Sequence, residues 1–294
     1  MKRITDIFAE KDRTFSCEFY PPKTEKGRRN LFEAADVFAE TGADFFSVTY
    51  GAGGSESRST LEIVSGLHAR HKVAVMHHLT CVKHTFADIR NELMLMRQYG
   101  VRNIMALRGD PPNDGTEYKA GPDRPHYGFE LIKIIREHGD WFSVGVPGFP
   151  EGHPMSMSLD MDSKILHIKE ESGADFAITQ LFFDVDLYRT FEQRVRRENV
   201  SLRLIPGILP VTNYPRLIDF CRMCGATVPD DVHETFQPLA EDSEATRQAG
   251  IEYATRQCER LLEMGAPGIH FYCLNRAEPV ATILRNLGVG AETR

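Results

Sequence analysis

The residues able to do chemistry come in short clusters, each closing an apolar run. Cys17-Glu-Phe-Tyr-Pro-Pro22 sets a carboxylate inside an aromatic run that two prolines then stop. An ionised Glu18 is costly to bury there, so it is either a paired or solvated edge glutamate or a working acid. Thr49-Tyr-Gly-Ala-Gly-Gly54 either lets backbone approach a cofactor or its phosphate, or simply turns the chain. His77 and His78 are neighbours, and strand alternation sends them to opposite sides, which suits one histidine bonding a cofactor better than a metal site. Arg108-Gly-Asp110 places a fixed cation beside a carboxylate, with a local salt bridge at a turn as the plainer reading. Gln180 can give and accept hydrogen bonds at once, and His270-Phe-Tyr-Cys-Leu-Asn-Arg276 runs from aromatic to polar to cationic. No nucleophile stands beside a base and no metal cluster is evident. The set suits proton transfer around a bound cofactor.

These clusters need a scaffold that brings them to one end. Short β-branched or aromatic runs alternate with longer segments of helical spacing, the rhythm of repeated βαβ units. Strands are expected at 15–19, 45–50, 73–80, 103–108, 142–146, 176–180, 203–208 and 269–274. Helices are expected at 27–40, 57–70, 85–99, 127–138, 160–172, 186–198, 214–225 and 243–264, with a last one near 278–287. Gly42, Gly100, Gly139, Gly173 and Gly265 follow helical runs, where a left-handed cap is wanted. Eight parallel units in this length close into an α/β fold of the (β/α)₈ TIM-barrel type, whose chemistry sits at the C-terminal ends of the strands. Every cluster above falls there. The stretch 229–238 is longer than a plain loop and is expected to hold a short extra helix.

Hydrophobic residues make up 41% and charged residues 26% of the 294, an ordinary globular balance with material for one large core. A net charge of −7 with interspersed signs offers no basic face for nucleic acid. No apolar signal core follows Met1 and no run approaches a membrane span, so a cytoplasmic location without membrane contact is expected. The six cysteines are scattered, which suggests reduced thiols; Cys221 and Cys224 supply only half of a tetrahedral zinc site.

Eight ordered motifs carry a resemblance: Cys17-Glu-Phe-Tyr-Pro-Pro22, Ser47-Val-Thr-Tyr-Gly-Ala52, His78-Leu-Thr-Cys81, Ala106-Leu-Arg-Gly-Asp110, Phe149-Pro-Glu-Gly-His-Pro154, Ile178-Thr-Gln-Leu-Phe-Phe-Asp184, Ile205-Pro-Gly-Ile-Leu-Pro210 and His270-Phe-Tyr-Cys-Leu-Asn-Arg276. Together, from about 13 to 288, the chain resembles the methylenetetrahydrofolate reductases, in their bacterial-type catalytic module. The resemblance implies one catalytic barrel over 1–294 without a regulatory domain, and self-association into a homo-oligomer. It implies reduction of 5,10-methylenetetrahydrofolate to 5-methyltetrahydrofolate, feeding methionine synthesis. FAD is then the cofactor, reduced by NADH or NADPH, with folate next taking the nicotinamide's place in a ping-pong cycle.

By the same resemblance Glu18 is the general acid that protonates the folate as its five-membered ring opens to an iminium, and Asp110 is the charge that stabilises that cation. Glu18 is expected to have a raised pKa, with desolvation by Phe19 and Tyr20 as the cause. Thr49 falls near the flavin's reacting edge. Tyr50, Ala52, His78, Arg108, Gly109, Asp110, Gly128, Phe149, His153, Asp162 and Lys169 fall on FAD contacts, Arg108 and Lys169 serving the diphosphate. Gln180 matches the amide that meets pterin and nicotinamide, Arg216, Tyr272 and Arg276 match folate contacts, and Phe220 matches an aromatic that covers the bound ring.

Departures from the family pattern bear on cofactor binding. Phe149 replaces a frequent tyrosine, Ile165 and Ile168 replace asparagine and arginine, Arg216 replaces a glutamine, and His77 replaces a small residue or proline. The isoleucines keep open a reductase that works without tightly held flavin. The same residues also admit a folate- or flavin-binding barrel without catalysis, or a metal-dependent lyase or hydrolase built on His77 and His78. An absorbance spectrum and the metal content separate these from a flavin-dependent reductase.

Overall fold

The computed structural model describes residues 1–50, 57–82, 84–109 and 121–290. A short helix α1 (Ile4–Glu10) precedes β1 (Thr14–Phe19), and α2 (Glu25–Thr41), β2 (Phe45–Val48), α3 (Ser57–His71), β3 (Ala74–Thr80), α4 (Phe86–Gln98), β4 (Asn103–Leu107), α5 (Gly128–Arg136) and β5 (Ser143–Gly148) alternate after it. The second half runs α6 (Leu159–Glu171), β6 (Phe176–Thr179), α7 (Val185–Arg197), β7 (Arg203–Ile205), β8 (Gly207–Ile208), α8 (Tyr214–Cys224), α9 (Asp230–Phe236), α10 (Ser243–Glu263), β9 (Gly268–Tyr272) and α11 (Ala277–Asn286). All strand pairings are parallel, in the spatial order β7-β6-β5-β4-β3-β2-β1-β9-β8.

The ninth strand is the expected seventh one broken in two. Pro206 has no N–H to give to a ladder, and the chain changes partners there: β7 pairs with β6 and β8 with β9. The Pro206 carbonyl accepts from His270 N at 2.9 Å, so the break itself closes the barrel. Gly207 is demanded by crowding, because a Cβ there would lie 2.3 Å from the Thr179 carbonyl oxygen.

Two cores follow from strand alternation. Cys17, Phe19, Phe46, Val75, Ile104, Val144, Ala177 and Phe271 face outward and meet the helices. Phe45, Met76, Met105, Phe176, Ile178 and Ile205 fill the barrel interior, and Ile4 and Ile7 of α1 close its floor. Asn103 ties that plug down, accepting from Ile4 N at 2.7 Å and donating to the Lys2 carbonyl at 3.0 Å. The expected extra helix is α9, within 229–238. Gly42 caps α2 at φ +101°, and the other four glycines expected to cap helices also take positive φ.

Candidate active site

Above the apolar filling, the inward positions turn polar. Ser16 and Glu18 of β1, Ser47 at the end of β2, His78 of β3 and His270 and Tyr272 of β9 share the inner face, because each lies an even step from an interior apolar residue or its paired neighbour. Glu18 Oε2 lies 3.4 Å from His78 Nε2, 3.6 Å from His270 Nε2 and 3.5 Å from Ser47 Oγ, and the side chain keeps 19% exposure toward the mouth. Tyr272 donates its hydroxyl to the Thr179 carbonyl at 2.6 Å, bracing the ring across the opening.

The electrostatics reverse one expectation. Burial does push the Glu18 carboxyl up, but the close His270 imidazole, the charges available on His78 and His270, and Ser47 outweigh it, so Glu18 is held below its ordinary value. Nor do the flanking aromatics desolvate it: Phe19 points outward into the helix layer, and Tyr20 is largely exposed. The partners come from other strands. Burial lowers His78 more than Glu18 raises it, which keeps the imidazole neutral at neutral pH. Burial also raises the Tyr272 hydroxyl far above its usual range.

His77 takes the outward side, as alternation requires. It is fully buried, edge-on to Tyr50 with centroids 6.1 Å apart, and desolvation lowers it to about 3. Tyr50 also meets His84 Nε2 through its hydroxyl at 3.0 Å. Thr49 N donates to the Phe19 carbonyl at 2.9 Å, carrying the β1–β2 ladder one step further. Among the described residues no group of three or more histidine, cysteine, aspartate or glutamate side chains is placed to hold a metal. Burial raises the Cys221 thiol to about 12, which leaves it protonated and inert as a nucleophile.

A second cluster lines the mouth at the ends of β4 and β5. Lys169 of α6 donates to the Pro147 carbonyl at 3.2 Å and lies 5.9 Å over the Phe149 ring. Phe149 meets His153 edge-on at 4.8 Å, and His153 N donates to Asp162 Oδ2 at 2.6 Å across a turn that Gly152 makes at φ +92°. Arg108 reaches Met155 Sδ at 3.2 Å, Gly109 turns at φ +82°, and Gly128 opens α5 against the Arg108 backbone. Burial lowers Lys169 to about 8, with Asp162 opposing only in part. Among the described residues no carboxylate pairs with this ammonium. Ile165 and Ile168 stand on the same helix, Ile168 at 40% exposure.

The third cluster is a groove of about 270 Å³ beyond β8, lined by Tyr20, Thr212, Asn213, Arg216, Phe220 and Arg276. Arg276 reaches Thr212 Oγ1 at 3.4 Å. Gln180 follows β6, its N donating to the Gly148 carbonyl and its Oε1 accepting from Leu181 N.

The described site residues therefore gather at one end of one barrel; Ala52 and Asp110 lie outside the described residues. Three contributors were not assigned a role from the sequence. His270 sits inside a quoted motif, two residues before Tyr272, so alternation alone signals its inward aim. Ser16 carries the same signal relative to Glu18. Arg194, buried, holds the Pro150 carbonyl at 3.1 Å and Ser163 Oγ at 3.2 Å, and nothing in an arginine-rich helix distinguishes it.

Residues 3–288 match the family model for methylenetetrahydrofolate reductase. The chain belongs to this family. Among similar members, "Methylenetetrahydrofolate reductase (NADH) 1" of Arabidopsis thaliana is 34% identical over 302 residues, covering 99% of this chain and 51% of the plant protein. The chain thus spans about half the length of the plant relatives it matches. "5,10-methylenetetrahydrofolate reductase" of Pectobacterium carotovorum subsp. carotovorum is 35% identical over 274 residues, covering 93% of this chain and 90% of that protein. A "Probable methylenetetrahydrofolate reductase (NADPH)" of Caenorhabditis elegans is 33% identical over 295 residues, covering 98% of this chain and 44% of the worm protein. Family members are therefore named for either nicotinamide donor. In fold, the chain is similar to an uncharacterized protein from Clostridium thermocellum that binds two copies of 5-methyl-5,6,7,8-tetrahydrofolic acid, with TM-score 0.64 and 14% identity over 97% of this chain and 98% of that one.

Proposed function

We propose that this chain reduces 5,10-methylenetetrahydrofolate to 5-methyltetrahydrofolate, taking electrons from NADH or NADPH through FAD in two successive half-reactions. The observation that carries the reading is Glu18: a carboxyl at the bottom of an open barrel mouth, flanked by two imidazoles and still 19% exposed. A proton donor at that depth meets a flat ligand lying across the strand ends. Family membership and the folate bound by the fold's Clostridium thermocellum neighbour support the substrate class.

The residues present fit a flavin nucleotide. Lys169 is a half-buried ammonium without a paired carboxylate among the described residues, the condition that an anionic diphosphate relieves. Phe149, beside it, gives an aromatic face, and Arg108 adds a second cation across the rim. His78, Thr49, Tyr50, Gly109, Gly128, His153 and Asp162 complete the proposed cradle, with Ala52 and Asp110 assigned from the family motifs alone. A bound FAD would supply the hydride-transfer chemistry between nicotinamide and folate.

The chain's own part is positioning and proton supply. Arg216, Phe220 and Arg276 line the groove that receives the folate, Tyr272 lines the adjoining pocket, and Gln180 at the end of β6 offers its amide to the ligand. Glu18 donates a proton to the folate nitrogen whose C–N bond breaks, and Asp110 is proposed to balance the resulting cation. Because the ligand-free protein holds Glu18 below its usual value, ligand entry must supply the extra desolvation that loads the acid.

Glu18→Gln keeps the shape of the side chain and removes the acid. Rapid mixing of this variant should show flavin reduction by the nicotinamide close to that of the unaltered protein, with the folate step slowed ~10²–10⁴-fold. Equal loss of both steps would remove Glu18 from the acid's role.

A further inference from the structure

Directly beneath Glu18 lies a second buried histidine for which the reaction above has no task. His270 is fully enclosed, with Nδ1 2.7 Å from Ser16 Oγ and Nε2 3.6 Å from Glu18 Oε2. Phe45 lies near-parallel to the ring at 6.3 Å, and Tyr272 meets it edge-on at 5.5 Å. The ring is therefore held on both sides and at one nitrogen, and its buried Nε2 makes no hydrogen bond but faces the Glu18 carboxylate at 3.6 Å. With Nδ1–H donating to the Ser16 hydroxyl oxygen, Nε2 is the nitrogen left to give or take a proton where it faces Glu18.

We propose that His270 is a positioning residue for Glu18: fixed at Nδ1 by Ser16, it holds Nε2 against the carboxylate, and the two groups share the one proton that the substrate receives. Rest states are a carboxylate beside an imidazolium, or a carboxylic acid beside a neutral imidazole, and they differ only in which side of the contact holds the proton. In the transfer, the Glu18 O–H bond breaks and an N–H bond forms on the folate nitrogen whose C–N bond opens, the positive charge passing to the other nitrogen. Glu18 is left as carboxylate and His270 as neutral imidazole, and solvent at the mouth restores the proton. The proton-donor half of this inference rests on the proposed folate reduction; the Ser16–His270–Glu18 contact does not.

The other titratable groups facing the pair, among the described residues, are His78 of β3, Tyr272 of β9 and the Cys273 thiol, which donates to the Glu18 carbonyl at 2.8 Å. Burial lowers His78 and raises Tyr272 and Cys273, and His270 is the one of these neighbours whose far nitrogen a serine fixes.

The test is the carboxyl titration of Glu18 in ligand-free protein, read by infrared spectroscopy as the difference between the protein and its Glu18→Gln variant. It is repeated on the His270→Gln and Ser16→Ala backgrounds. Without the imidazole, desolvation acts unopposed, and the Glu18 midpoint should rise by about one pH unit or more in His270→Gln. A smaller rise in the same direction is expected in Ser16→Ala, with the pH profile of the folate half-reaction moving in step. Ser16→Ala removes a single oxygen and keeps the test available if His270→Gln does not fold. An unmoved midpoint overturns the proposal even in a protein that reduces folate. A midpoint that moves in a protein with no folate step supports the pair and overturns the reading of the reaction.

Discussion

A half-buried ammonium that no carboxylate pairs with among the described residues is costly to keep, and Lys169 keeps one where β5 and α6 meet. Burial holds it near pH 8, so a bound anion that favours the charged form must raise it. Affinity for a flavin nucleotide is then level below about pH 8 and falls as pH rises through that value, since the free protein loses the proton that the complex needs. Lys169→Met should weaken binding by about 1.5–3 kcal/mol, roughly ten- to a hundredfold, and flatten the pH dependence; flavin fluorescence quenching at equilibrium reads both effects. At this scale the inward aim of Glu18 and His78 was legible from motif and alternation, whereas Lys169 was named from the family resemblance alone and the direction of the Glu18 shift was not legible. Its neighbours in sequence point away from it, and the groups that set its charge stand on β2, β3 and β9, the last more than 250 positions distant.

Two elements decide whether the barrel holds the site in shape. Helix α1 closes the floor with Ile4, fully buried, and Ile7. Ile4→Ala should cost about 2–5 kcal/mol, measured by urea unfolding, with strand-end chemistry unchanged in the folded fraction. At the wall, Gly207→Ala drives a methyl group against the Thr179 carbonyl and the Tyr272 ring. The expected outcome is a lower melting temperature together with weaker folate binding, because the same contact holds Tyr272 across the mouth. The eight strands were visible in the sequence because each is a compact β-branched or aromatic run, and all the helices expected between them formed within a few residues of their expected limits. Helix α1 was not foreseen, since seven residues with four apolar ones give too short a period, and only the open barrel floor explains them. The split of the seventh strand was likewise hidden: Pro206 marks a break, but which strand each half joins depends on a neighbour some 60 residues later.

The whole molecule is an eight-unit parallel barrel with its polar side chains gathered at one end and its apolar filling at the other. That polarity follows from repetition, since each βαβ unit delivers its strand's C-terminal end to the same rim. Repetition made the fold legible early. The relation among the three clusters at the rim, acid in the lumen, cation at β5 and groove beyond β8, arises only on closure and was not readable from any single motif. The most direct test of flavin-dependent folate reduction is an anaerobic absorbance titration of the purified protein with FAD, NADH or NADPH, and then 5,10-methylenetetrahydrofolate. The expected result is a flavin band that bleaches with the nicotinamide and returns with the folate. A protein that binds no flavin, or one whose reduced flavin stays bleached when the folate is added, would contradict it.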